Sequence, residues 1–357
     1  MDIKRSMGAD PYLVSSRTCV RLRWHTICFG RWMRTVSMAL LVGVVAACGG
    51  QETSDEQNFT QAKSLGPIPK GEPTRHPIVL LHGFNASTKF WGFYDVADEL
   101  AEDGHVVFET TVPPYNSVDV RAAVLAAQID EILAQGFEKV NIVAHSMGGL
   151  DARYLVSSLG YGDRVASITT ISTPHRGAPI ADKSLAILDG LAVNDDVLNK
   201  FAAALGENFS ALSAESDLRA AFVSLSEANA PDFNDVNVDA SGVYYQSWAG
   251  VSSALGVKNP RDMPACEQVI LGDGKVADKM DPLVTPIAAI THKGEFLPND
   301  GLVSVESAKW GEFRGCVPAD HLDEVGGIKD ERADTRTGFD HRRFYRNLSF
   351  ELAEFGF

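Results

Sequence analysis

Asn141-Ile142-Val143-Ala144-His145-Ser146-Met147-Gly148-Gly149 carries the local pattern that settles the architecture. An apolar run leads straight into a serine flanked by small residues, and Met147 to Leu159 then has the composition of a helix. Strand, sharp turn and helix in that order lift a serine above a sheet edge as a nucleophile. The turn is tight, so the residues two before and two after the serine must be small. Ala144 and Gly148 meet that need, alanine standing where glycine is usual. The same turn aims the backbone N–H of Met147 at the charge that develops on an attacked carbonyl, and the helix N-terminus adds partial positive charge. Outside that setting Ser146 would be an ordinary turn residue; within it, Ser146 is expected to be a nucleophile.

On either side the chain alternates between two periodicities. Ile78 to Leu81, His105 to Thr111, Val140 to Ala144, Val165 to Ile171 and Val243 to Trp248 read as strands. Phe93 to Glu102, Ser117 to Gln135, Met147 to Leu159 and Arg342 to Phe355 read as helices, the second with Val120, Val124, Ile129, Ile132 and Leu133 on an apolar face. Strands and helices in turn imply parallel βαβ units and one mostly parallel, doubly wound sheet, the α/β class. The rhythm breaks over 182–230, where Leu185, Leu188, Leu191, Phe201, Leu218 and Phe222 lie among acids, Ala and Ser. That helical insertion reads equally as a mobile lid or a packed cap. At the end of the first strand, His82-Gly83-Phe84 is placed to offer a second N–H to the oxyanion, that of Phe84, with Gly83 allowing close approach.

In the α/β-hydrolase arrangement the acid and then the histidine follow the serine along the chain. Four histidines follow Ser146: His175, His292, His321 and His341. His145 adjoins the nucleophile and points away from it. His321 sits in a loop after the last strand-like segment and is the expected base. His341 reads as a surface side chain at the start of the terminal helix, and His175 as lining the cleft or packing structurally. For the acid, Asn299-Asp300-Gly301-Leu302-Val303 puts a carboxylate before an apolar, strand-like stretch, so Asp300 is preferred over Asp273 in Gly272-Asp273-Gly274. A carboxylate there would fix the imidazole tautomer and stabilise the imidazolium. Asp-Gly is also a common turn signal.

The N-terminal segment reads as an address. Arg31 and Arg34 precede an apolar run, Val36 to Ala47, too short to span a bilayer. It ends Val45-Ala46-Ala47-Cys48-Gly49, which resembles a bacterial lipobox whose cysteine is lipidated. The reading is a signal peptide over 1–47, with Met33 as an alternative start, a flexible tether over 48–73 and one catalytic domain over 74–357. Anchoring at Cys48 would put the protein on the outer membrane or cell surface; cleavage near Ala47 without lipidation would leave it secreted. Residues 1–47 hold seven of the 32 basic residues and two of the 47 acidic ones, leaving 25 basic against 45 acidic in the remainder. That balance argues against nucleic acid as a partner. Of five cysteines, only Cys266 and Cys316 fall in the catalytic body, an even count that fits one disulfide in an oxidising compartment.

Taken together the motifs resemble the true lipases of Gram-negative bacteria. The likeness runs through Pro77 to Gly83, the Ser146 elbow, Ser172-Thr173-Pro174-His175-Arg176-Gly177, Tyr245-Gln246-Ser247-Trp248, Asn299 to Val303 and His321-Leu322-Asp323-Glu324-Val325. It implies hydrolysis of triacylglycerols or other long-chain esters at a lipid–water interface, and a mobile lid. It also implies a structural calcium near the histidine, whose carboxylates would fall on Asp281 and Asp323, although Gly327 stands where the family has an amide ligand. The family's disulfide is shifted, because Cys316 lies five residues before His321, where a bridge to Cys266 would pin the histidine loop. No cofactor is needed for the chemistry. A polyester depolymerase or short-chain esterase would use the same scaffold. A reading of another class is a non-catalytic surface lipoprotein that binds lipid or a partner. Nothing in the residues identifies a folding chaperone.

Overall fold

Continuous four- to seven-residue apolar runs can be buried on both faces only in a sheet covered on both sides. The computed structural model builds that sheet. It describes residues 70–88, 92–192, 194–196, 198–200, 211–257, 259–267, 277–291, 297–327, 334 and 336–357. The leader, Cys48, most of the tether, Asp273 and His292 lie outside the described residues.

The chain runs β1 (Ile78–Leu81), α1 (Val96–Glu102), β2 (Val107–Thr110), α2 (Val118–Leu133), β3 (Val140–His145), α3 (Gly148–Ser157) and β4 (Val165–Ile171). The helical insertion contributes α4 (Pro179–Gly190), α5 (Leu218–Leu225) and α6 (Ala230–Val236). There follow β5 (Tyr244–Gly250), β6 (Ser252–Ser253), α7 (Asp262–Cys266), β7 (Asp278–Lys279), α8 (Thr285–Thr291), α9 (Val305–Ala308), β8 (Glu312–Val317) and α10 (His341–Glu354). Six strands pair in parallel in the order β2-β1-β3-β4-β5-β8, while β6 and β7 form a separate parallel pair.

Alternate residues of a strand point to opposite faces. Ile78 and Leu80 accordingly join Val96, Leu100, Phe344 and Leu348 of α1 and α10 in one core. Val79 and Leu81 join Leu125 and Ile129 of α2 and Leu155 of α3 in the other. The winding reverses between β1 and β3, where Leu81 pairs with Ala144. In such sheets the crevice at the carboxyl ends beside the reversal is where ligands bind. His82 and Ser146 are the residues that leave β1 and the end of β3 at that crevice.

Two local expectations are corrected. Asn299 to Val303 does not lead into a strand: it is a turn closed by a bridge between Asn299 and Ser304, with Gly301 at φ 103°. The closing strand is β8 instead, an edge strand whose charges Glu312 and Arg314 hid it from periodicity. His341 is not a surface side chain; it is buried, and its Nε2 lies 2.9 Å from the Tyr94 carbonyl oxygen, joining α10 to the loop before α1. The insertion over 182–230 is helical where described, and residues 201–210 lie outside the described residues.

Candidate active site

The turn between β3 and α3 holds Ser146 at φ 54°, the left-handed region that costs a side-chain-bearing residue free energy. Surrounding contacts hold it there. The Ser146 N–H donates to the Ile171 carbonyl at 2.9 Å, and the Thr173 hydroxyl donates to the Ser146 carbonyl at 2.7 Å. The demand for small neighbours is met as expected. A Cβ on Gly148 would stand 2.7 Å from the Leu81 carbonyl oxygen, and one on Gly83 would stand 2.6 Å from the Ser146 Cβ. The loop carrying Phe84 and the elbow therefore pack backbone against backbone.

Ser146, His321 and Asp300 come together from three separate loops. His321 Nε2 lies 2.9 Å from Ser146 Oγ, and His321 Nδ1 lies 2.7 Å from Asp300 Oδ2. The other oxygen of Asp300, Oδ1, accepts the N–H groups of Leu302 at 2.8 Å and Val303 at 2.7 Å. The turn that replaced the expected strand is thus what aims this carboxylate. His321 is tied to the same turn by its N–H, which donates to the Asp300 carbonyl at 2.9 Å. A carboxylate facing Nδ1 selects the tautomer with its proton there, leaving Nε2 free to accept from the serine. A disulfide joins Cys266 of α7 to Cys316 of β8, one residue before β8 gives way to the loop that carries His321.

Sequence reasoning missed a second carboxyl–imidazole pair behind the first. His145 Nε2 lies 3.1 Å from Glu324 Oε2, and the His145 ring stands 4.5 Å from the His321 ring. The Ser172 hydroxyl donates to Glu324 Oε1 at 2.6 Å and accepts the Gly250 N–H at 3.0 Å. Burial, followed by the charge of Asp300, drives Glu324 well above the usual carboxylate range. Burial and then His321 drive His145 well below the usual imidazole range. The acid is raised and the base lowered, and both shifts favour the uncharged forms. The available signal was Glu324 itself, an acid three residues past the histidine in a loop entering the core.

His82 is fully buried and held neutral, its imidazole lowered to about 3 by burial and by the nearby Arg121. Its Nε2 accepts the Val112 N–H at 3.2 Å and its Nδ1 lies 3.0 Å from the Gly83 carbonyl, which fixes the backbone leading to Phe84. The Phe84 ring packs against Tyr115 and against Phe222 of α5, so the insertion covers this loop. His175 is wholly buried, with Nε2 3.1 Å from the Thr170 hydroxyl and Nδ1 3.3 Å from Arg153. Of its two readings the structural one holds.

The expected calcium pair is only half assembled. Asp281 turns its carboxylate to its own loop, accepting the Leu283 N–H at 2.6 Å, while its N–H donates to Asp320 Oδ2 at 2.6 Å. The carboxylates that converge are those of Asp278, Asp320 and Asp323, with one oxygen from each within 4.8 Å of the others. Asp278 is buried, its Oδ2 lacks a hydrogen-bond partner among the described residues, and its acid is pushed up to about 8 by burial and by Asp320. A hard, oxygen-only set with an orphaned carboxylate oxygen suits a calcium ion.

The family described as the alpha/beta hydrolase fold matches residues 76–249. Over 275 residues the chain is 30% identical to triacylglycerol lipase 2 of Saccharomyces cerevisiae, covering 72% of each chain. It is 29% identical over 315 residues to the triacylglycerol lipase of Vibrio cholerae, covering 82% of this chain and 89% of that one. It is 30% identical over 283 residues to the triacylglycerol lipase of Pseudomonas fragi, covering 71% and 88%. Staphylococcus hyicus lipase shares the fold at a TM-score of 0.55 and 18% identity over 81% of this chain and 99% of that one. A metagenomic carboxyl esterase does so at 0.58 and 17% over 88% and 90%. By these relatives and this fold, the chain belongs to the lipase family of the α/β-hydrolase superfamily and is a serine ester hydrolase.

Proposed function

We propose that the protein is a lipase that hydrolyses long-chain carboxylic esters, triacylglycerols among them, through an acyl-enzyme on Ser146. The observation that carries this reading is the continuous contact from Ser146 Oγ through His321 to Asp300, at 2.9 Å and 2.7 Å. In the first half-reaction His321 Nε2 takes the Ser146 proton as Oγ attacks the ester carbonyl. Asp300 holds the imidazolium so formed. The N–H groups of Phe84 and Met147 stabilise the oxyanion. His321 then gives its proton to the leaving alcohol, and the acyl group stays on Oγ. Water, deprotonated by the same imidazole, attacks the acyl-enzyme and releases the acid, and the proton returns to Ser146.

The helical insertion supports a lipid substrate. It exposes Ile187 and Leu191 at the end of α4 and Val223 on α5, while Phe222 of α5 covers the Phe84 loop. Such helices could meet a lipid surface and swing aside as a lid. The leader ahead of Cys48 supports export and a lipid anchor at that cysteine, at the outer membrane or cell surface. No described helix is long and apolar enough to cross a membrane. Calcium, held by Asp278, Asp320 and Asp323, would supply a fixed positive charge that brings the loop around His321 to β7 without entering the reaction.

The test compares short and long acyl esters, soluble and emulsified, with Ser146→Ala as control. The lipase reading expects turnover of emulsified long-chain esters that Ser146→Ala abolishes. Turnover of short soluble esters alone would make the protein an esterase, and release of monomers from a polyester film in preference to lipid would make it a polyester depolymerase.

A further inference from the structure

The two N–H groups assigned to the oxyanion come from residues far apart in sequence, Phe84 after β1 and Met147 before α3. Stabilisation of a developing charge depends on donors held in place before the reaction begins. Something must therefore set the distance between the two segments, and one buried ion pair links them.

Arg121 lies on α2 and is wholly buried. It sits on the inward face of that helix with Val118, Ala122 and Leu125, where a charge is expensive. Its Nη2 donates to the His82 carbonyl at 3.1 Å and its Nη1 to the Pro113 carbonyl at 2.6 Å. Its Nε donates to Asp151 Oδ2 at 2.9 Å, and Nη2 lies 2.7 Å from the same oxygen. Asp151 is also wholly buried, in the first turn of α3, and its N–H donates to the Met147 carbonyl at 3.2 Å. One guanidinium thus grips the chain two residues before Phe84 directly, and the turn that begins at Met147 through Asp151. The neighbouring connection adds a second hold: the Asn85 N–H donates to the Pro114 carbonyl at 3.0 Å.

The pair is costly to keep. Asp151 Oδ1 has no hydrogen-bond partner among the described residues, and burial pushes its carboxyl up to about 6 even with the guanidinium pulling the other way. Buried ion pairs of this kind are often replaceable by apolar residues without loss of stability. The planar fork, by contrast, fixes directions that no lysine or hydrocarbon reproduces.

We propose that Arg121 and Asp151 are positioning residues that clamp the two oxyanion donors at their working separation. The proposal rests on the reading of Phe84 and Met147 as those donors. A misplacement of about 1 Å at such a site can cost about 100-fold in rate. The clamp therefore acts on the transition state and leaves substrate affinity alone.

The experiment uses the wild-type protein, Arg121→Lys, Asp151→Asn and the double variant Arg121→Met/Asp151→Leu, which removes both charges together. Steady-state hydrolysis of one soluble ester is measured beside inhibition by an alkyl boronic acid, which forms a tetrahedral anionic adduct, and beside the urea midpoint. Each variant is expected to lose about 100-fold in kcat, and a similar factor in boronic acid affinity, with KM within about threefold of wild type. The double variant is expected to keep a urea midpoint near wild type. A folded double variant with kcat and boronic acid affinity within about threefold of wild type would overturn the clamp. Should the double variant fail to fold, the same values measured on Arg121→Lys would overturn it instead. If wild type binds the boronic acid no better than a carboxylic acid of equal chain length, the oxyanion assignment fails first. Tight binding equal in wild type and variants defeats the clamp alone.

Discussion

Two carboxyl–imidazole pairs stand side by side in this protein, and their acids sit in different surroundings. Asp300 faces His321 at 2.7 Å and Glu324 faces His145 at 3.1 Å, with the two rings 4.5 Å apart. Both acids are wholly buried. What separates them is the donors around the carboxyl. Asp300 receives two backbone N–H groups on the oxygen that does not face the histidine. Glu324 is driven toward its neutral form by burial and then by the charge of Asp300, against the serine hydroxyl that it accepts. The first pair reaches Ser146 through His321, and the second fills the space behind it.

Breaking the first pair should cost the most. Asp300→Asn should lower kcat by about 10,000-fold, the scale of loss when this carboxylate is neutralised in a Ser-His-Asp hydrolase. If kcat fell less than tenfold, Glu324 would be serving as the acid, and Asp300→Asn/Glu324→Gln would then show the full loss. Next comes the wall that both pairs share. A Cβ on Gly250 would stand 2.0 Å from Glu324 Oε1 and 2.9 Å from the Asp300 Cβ. Gly250→Ala should destabilise the fold by about 1–3 kcal/mol, read as a lower urea midpoint.

A smaller effect concerns pH. Burial lowers the folded pKa of His145, so below 6.5 the unfolded chain takes up a proton that the folded one refuses. The stability contributed above 6.5 is lost as pH falls toward the folded value, by up to about 1.4 kcal/mol per pH unit. His145→Asn should flatten the urea midpoint between pH 6.5 and 5 by that slope; an unchanged slope would mean the folded imidazole is charged. Least affected should be Glu324→Gln, one neutral group for another of the same shape. It should alter kcat by no more than about threefold at pH 7, and a loss near that of Asp300→Asn would show that Glu324 carries charge.

The contrast also marks what could be read from residues alone. Ser146 and its elbow were legible because strand, small residues and helix are contiguous. Asp300 and His321 were legible because chain order limits the candidates, though the carboxylate turned out to be aimed by a turn rather than by a strand. The parallel sheet followed from apolar runs, and β8 escaped because an edge strand tolerates Glu312 and Arg314. Glu324 escaped for a different reason: its partners His145 and Ser172 lie 179 and 152 residues away. Arg121 left one trace, a charge on the inward face of α2, but its meaning depends on the His82 carbonyl and Asp151. The convergence of Asp278 and Asp320 with Asp323 is set by residues distant along the chain, so the resemblance alone pointed to Asp281 instead. Local geometry is written in neighbouring residues, while buried charge is governed by what the fold brings to it.

The proposed mechanism stands or falls on a covalent intermediate at Ser146. Rapid acid quenching during turnover of an activated ester, followed by peptide mass spectrometry, would capture it. An acyl-enzyme predicts the added mass of the acyl group on the peptide containing Ser146, and no adduct in Ser146→Ala. Steady hydrolysis with no adduct on that peptide, or with the acyl group on another residue, would refute it.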